Sequence, residues 1–222
     1  WIKFSIFVLS KSIDMHIKNI IFDLGNVIID IDPDETSRRL RKYFDLEYDF
    51  FKNKMSQTFL DYEVGLLTEK EFSSALAQHA PAEISAEEVL EHWNSMLLDI
   101  PESRLKMLEE LSPNYRLYIL SNTNYTHMKW VRHFLEHNFG RSNFEQWGVI
   151  KAYLSHELGA RKPDRESYEK VLEMEKMNPQ ETLFIDDHPD NIQAAKVLGI
   201  QSVWHAPGKE ITSEIEDYLL QF

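Results

Sequence analysis

The chain has 222 residues, 43 % of them hydrophobic and only 7 Gly and 8 Pro, which suits one sizeable core and argues against disorder. A formal charge of −13 argues against nucleic acid as a partner, because phosphate backbones are held by clustered Lys and Arg. The absence of Cys removes disulfides and thiolate metal sites and fits a cytoplasmic setting, and no run approaches the roughly 18 apolar residues of a membrane span.

The opening stretch, residues 1–14, is apolar but lacks a strongly basic start and a small-residue cleavage site; it is expected to be an N-terminal extension outside the fold. Next comes "IKNIIF" (17–22), short and β-branched, which predicts a buried strand. That strand ends on a carboxylate, Asp23, followed by a Gly25-Asn26 turn.

The stretch from Pro33 to Pro101 carries no strand-like run. Two capping-box patterns, Thr68 with Glu71 and Ser85 with Glu88, predict helix starts, and Phe72, Leu76 and Val89, Trp93 recur at helical spacing. Phe59, Tyr62, Phe72 and Trp93 are read as its core, and the basic run "RRLRKY" (38–43) as a solvated helix face. Residues 33–100 are therefore expected to form an all-helical cap, inserted between the two parts of a core at 15–32 and 101–222.

After it, "YRLYIL" (115–120), "VIKAYL" (149–154), "TLFI" (182–185) and "QSVW" (201–204) predict four more strands. Helical stretches lie between them: one groups Tyr168, Val171 and Leu172, another groups Ile192, Ala195 and Leu198 and stops at Gly199. His133 and His137 share a helix face with no third ligand nearby and are read as a surface pair. Alternating strand and helix predicts an α/β core, a doubly wound, Rossmann-like parallel sheet covered on both faces.

In such a sheet, ligands bind outside the carboxyl ends of the strands. Asp23, Ser121, Lys162 and the pair Asp186-Asp187 all fall at or just beyond those ends. Two carboxylates about 4 Å apart repel by roughly 1 to 4 kcal/mol. A hard divalent cation relieves that conflict, and an all-oxygen donor set favours Mg²⁺ over Zn²⁺. Ser121 and Lys162 supply a hydroxyl and a positive charge for a phosphate. A carboxylate held on a strand end can attack phosphorus in line, which makes Asp23 the candidate nucleophile and an aspartyl-phosphate the expected intermediate. The glycine in the turn is expected to let the backbone approach the site closely.

The order Asp23, Ser121, Lys162, Asp186-Asp187, with "FDLGNVIIDID", "LSNTN", "SHELGARKP" and "FIDDHPDNI", resembles the haloacid dehalogenase superfamily of phosphohydrolases over residues 17–222. It is most similar to the bacterial α-D-glucose-1-phosphate phosphatase subgroup. The cap stretch "YEVGLLTEKEF" resembles the segment such caps hold near the substrate. The resemblance implies a Mg²⁺-dependent phosphatase for small sugar phosphates. It implies metal ligation by Asp23, Asp187 and the Gly25 carbonyl, with Asp186 beside or just outside the metal shell. Ser121 and Lys162 would hold the phosphate with Asn122 flanking it, and Asn191 would support the metal shell. The implied partner is a small phosphorylated metabolite, for a chain that is a monomer or weak homodimer. One departure stands out: most phosphatases of the superfamily carry an acid–base Asp two residues after the nucleophile, where this chain has Gly25. A weakly active or non-catalytic phosphate-binding protein and a 2-haloacid dehalogenase are the alternatives.

Overall fold

The computed structural model describes residues 17–41, 43, 56–80 and 83–222, so the 1–14 segment lies outside the described residues. In chain order, β1 (Asn19–Phe22) and β2 (Asp30–Ile31) precede four helices, α1 (Pro33–Leu40), α2 (Ser56–Glu63), α3 (Glu69–His79) and α4 (Ala86–Asn94). Then follow β3 (Leu97–Asp99), α5 (Glu102–Leu111), β4 (Arg116–Ser121), α6 (Tyr125–Phe139), β5 (Val149–Leu154), α7 (Ser155–Leu158) and α8 (Arg165–Met174). The chain closes with β6 (Thr182–Asp186), α9 (Pro189–Val197), β7 (Gln201–Trp204) and α10 (Ile211–Leu219).

Five strands form one parallel sheet in the order β5-β4-β1-β6-β7. β1 is central because it is buried on both faces: Ile20 and Phe22 belong to one apolar cluster, and Ile21, between them, belongs to the other. That alternation follows from the two-residue period of a strand. The first cluster includes Leu105, Val131, Leu135 and Ile215 from α5, α6 and α10; the second includes Tyr168, Val171, Ile192 and Ala195 from α8 and α9. The helices thus cover both faces, as a doubly wound sheet requires. α9 ends as expected: Gly199 takes φ 80°, and the amides of Gly199 and Ile200 bond back to the Lys196 and Ala195 carbonyls.

Helices α1–α4 bury their own aromatic cluster, with Phe59 stacked on Trp93 at 5.1 Å and Tyr62 on Phe72 at 4.1 Å between ring centroids. Both capping boxes form, at Thr68–Glu71 and Ser85–Glu88. One feature differs from the sequence expectation: Leu97–Asp99 is a strand, paired antiparallel with Asp30–Ile31. At three residues, with only Leu97 buried, it is too short to display a strand period. The pair joins the two crossings between the helical segment and the sheet.

Candidate active site

Register brings the acids together. Phe22 pairs with Ile119 of β4 and with Ile185 of β6, so all three strands end at the same edge. The Asp23 amide continues the ladder by donating to the Ile185 carbonyl at 2.8 Å, which fixes Asp23 beside Asp186, the last residue of β6. Carboxylate oxygens of Asp23, Asp186 and Asp187 lie within 4.8 Å of one another, the only such group of three metal-ligating side chains among the described residues.

Lys162 reaches into this cluster from the loop after α7, its side chain 1 % exposed. Its Nζ donates to Asp23 Oδ1 at 2.6 Å and to Asp186 Oδ2 at 2.7 Å. Burial pulls the Lys162 ammonium down, but the carboxylates of Asp23 and Asp186 outweigh it and hold its pKa above the ordinary value. Burial pushes the Asp23 carboxyl up to about 7; Lys162 opposes the shift, and Asp186 and Asp187 add to it. One ammonium among three acids leaves the site short of positive charge.

The acids are not equivalent. Asp186 is fully buried and its oxygens are taken by protein donors: Lys162 Nζ, the His188 amide at 2.7 Å and Asn191 Nδ2 at 3.0 Å. It therefore anchors Lys162 from behind the cluster, and Asn191 acts through Asp186. Asp187 is partly exposed, with Asn26 Nδ2 donating to its Oδ2 at 2.9 Å and Trp204 Nε1 to its backbone carbonyl at 2.8 Å.

Gly25 and Asn26 shape the turn after Asp23 in different ways. Asn26, not Gly25, takes the left-handed conformation, with φ 55°, which Asn tolerates better than most residues. Gly25 sits in a bridge to Ile29 that uses the Leu24 and Ile29 carbonyls, and its own carbonyl takes no part in it. A Cβ at Gly25 would stand 2.7 Å from Ile31 Cδ1, so Ile31 fills the space that a side chain at this position needs.

Ser121 ends β4, 4 % exposed, and does not cap the next helix; Asn124 does, accepting from the His127 amide at 3.0 Å. Asn122, expected to flank a phosphate, bonds the Lys162 backbone through its side chain, Nδ2 donating to the carbonyl at 2.7 Å and Oδ1 accepting from the amide at 2.8 Å. It positions the lysine. His188 and the stacked pair His133 and His137 are exposed, and none of the three belongs to the acidic cluster.

Asn26 and Trp204 were not singled out from the sequence as site residues. Asn26 carried a usable signal, an Asn directly after a turn Gly. Trp204 carried none, since its contact with Asp187 depends on the pairing of β6 with β7.

A parallel α/β sheet with clustered acids and a buried lysine at its carboxyl edge defines a class of enzyme that works on anionic substrates by carboxylate chemistry. The chain belongs to the haloacid dehalogenase-like hydrolase family, whose sequence pattern matches residues 17–199. It is 32 % identical over 201 residues to a D-ribitol-5-phosphate phosphatase of Bacteroides thetaiotaomicron, covering 90 % of this chain and 97 % of that one. Its fold superposes on a haloacid dehalogenase-family enzyme of the same bacterium with a TM-score of 0.82 at 32 % identity, over 90 % of this chain and 98 % of that one. That enzyme is also known in complex with magnesium and inorganic phosphate. A haloacid dehalogenase-like hydrolase of Porphyromonas gingivalis superposes with a TM-score of 0.81 at 30 % identity, over 91 % and 98 % of the two chains.

Proposed function

We propose that the chain is a Mg²⁺-dependent phosphatase for small sugar or polyol phosphates, working through an aspartyl-phosphate on Asp23. The observation that carries this reading is Lys162 Nζ held between Asp23 and Asp186, with Asp187 alongside. The kinship with a D-ribitol-5-phosphate phosphatase supports a small polyhydroxylated leaving group.

The residues present fit a hard cation. They offer three carboxylates and no thiolate, and the one ammonium of Lys162 does not balance the three acids. Asp23, Asp187 and the Gly25 carbonyl would hold Mg²⁺, while Asp186, occupied by Lys162, Asn191 and His188, would stay outside its shell. Bound there, Mg²⁺ would keep Asp23 ionised and offset the charge of the phosphoryl oxygens.

The chain's own residues do the rest. Asp23, locked to β6 through its backbone amide, attacks phosphorus with the oxygen that Lys162 leaves free. Ser121 and Lys162 hold the phosphoryl oxygens, and the bond from phosphorus to the ester oxygen breaks. Because Gly25 carries no acid, the departing oxygen takes its proton from water. A second water attacks phosphorus, releasing inorganic phosphate and restoring Asp23. Helices α1–α4 would close over the bound substrate and select the leaving group.

The test is a panel of sugar and polyol phosphates assayed for phosphate release with Mg²⁺ and with EDTA. Hydrolysis should require Mg²⁺, and Asp23→Asn should lower kcat by roughly 10³-fold or more while the circular dichroism spectrum is unchanged. Full activity in Asp23→Asn would refute the assignment.

A further inference from the structure

A single turn at the end of α2 touches three separate core segments. Tyr62 accepts from the Thr126 amide at 3.2 Å and shares a second hydrogen bond with the Thr126 hydroxyl, at the start of α6. Glu63 accepts from Arg161 Nε at 3.0 Å, in the loop carrying Lys162. Gly65, with φ 76°, lies against the backbone of His156 so closely that a Cβ would stand 2.1 Å from its carbonyl oxygen. Arg161 and Glu63 are 98 residues apart in sequence, and their side chains are only 30 % and 24 % exposed.

These contacts go to particular places. Thr126 lies five residues past Ser121, on the helix that follows β4. Arg161 is bonded directly to Lys162, whose backbone is clamped by Asn122 from the β4 side. The turn therefore contacts the start of α6, just after the β4 end that carries Ser121, and the loop that carries Lys162. Both side chains are partly buried, and burial holds the Glu63 carboxyl above its ordinary value even though Arg161 opposes the shift. Removing either partner leaves a partly buried charge without its counterion, which favours lifting or rehydration of the turn.

We propose that Glu63 and Arg161 are a positioning pair: their ion pair seats the 62–65 turn on the Lys162 loop and so makes the placement of Lys162 depend on the seating of the helical segment. The inference rests on the phosphatase reading for its effect on turnover, but not for its effect on structure.

The experiment uses the full chain in four forms besides the wild type: Glu63→Gln, Glu63→Arg, Arg161→Glu and the double swap Glu63→Arg/Arg161→Glu. Two quantities are read: amide hydrogen exchange in peptides spanning 59–67 and 155–163, and kcat and KM for p-nitrophenyl phosphate with Mg²⁺. Each charge reversal should speed exchange in both peptides at least tenfold and lower kcat about tenfold or more, with KM changed less. The double swap should bring both quantities back to within about threefold of wild type. Glu63→Gln, which keeps the shape of the side chain, should fall between, and it decides the matter if a reversal does not fold. Unchanged exchange at 155–163 in Glu63→Gln and the reversals, or a double swap no better than the worse single variant, would overturn the proposal. A wild type without phosphatase activity would refute the functional reading alone, because exchange still tests the pair.

Discussion

Lys162 illustrates how one buried charge organises its neighbours. An ammonium with a side chain 1 % exposed is tolerable only when paired, and Asp23 and Asp186 pair it. Burial of Asp23, with Asp186 and Asp187 adding to its effect and Lys162 opposing it, sets a measurable property. Without metal, the Asp23 carboxyl should titrate at about 7, and saturating Mg²⁺ should lower it by about one unit or more. Carboxyl-detected NMR of aspartate-labelled protein reads this directly, and an ordinary pKa in the metal-free protein would contradict the burial of Asp23. His127 gives a second titration. It stacks on Trp93 at 5.3 Å and contacts the Trp93 carbonyl, and burial lowers its pKa to about 4. The unfolded chain then binds a proton between about pH 6.5 and 4 that the folded chain refuses, so stability falls as pH drops through that window. The contribution of His127 is on the order of 3 kcal/mol, and burial of His156 and His205 acts in the same direction. Urea unfolding at pH 7 and at pH 4.5 should show the loss, and His127→Gln should reduce the difference.

The strands do more than fill the core. β1, β4 and β6 are aligned in register, so their carboxyl ends deliver Asp23, just after β1, and Ser121 and Asp186, the last residues of β4 and β6, to one edge. The five strands were legible in the sequence because each is a short apolar run between polar turns, and α3 and α4 because their capping boxes are local patterns. β3 was not legible: three residues with one buried side chain leave no periodic trace. The turn after α2 is tightly constrained. Gly65→Ala places a methyl group on the His156 carbonyl and a side chain at positive φ, so it should cost about 2 kcal/mol or more. Denaturant unfolding would show that cost, together with a fall in kcat/KM from an unseated turn.

For the molecule as a whole, charge and ligand binding pull together. A net charge of −13 repels anionic esters over long range, and Lys162 together with a divalent cation would neutralise the three carboxylates of the site so that an anionic ester can approach them. A cation that binds only the folded chain also stabilises it. At about 100 times its Kd, Mg²⁺ should add about 2.7 kcal/mol, or roughly 5 to 10 °C in Tm for a protein of this size. Differential scanning calorimetry with and without Mg²⁺ measures the shift, which Asp187→Asn should largely remove.

Local pattern alone was enough to determine the strand–helix alternation, the helical segment after β1 and the set of acids and lysine at the strand ends, because hydrophobic period and turn chemistry act over a few residues. Tertiary structure decided how those groups divide their work. That Asp186 faces Lys162 and Asn191 while Asp187 remains partly open depends on which way each side chain leaves the end of β6. That Asn122 clamps Lys162, Ile31 crowds Gly25, Trp204 touches Asp187 and Glu63 meets Arg161 depends on packing between segments distant along the chain or folded back on themselves. Such partners are chosen by shape and distance in three dimensions, and sequence spacing carries no record of either.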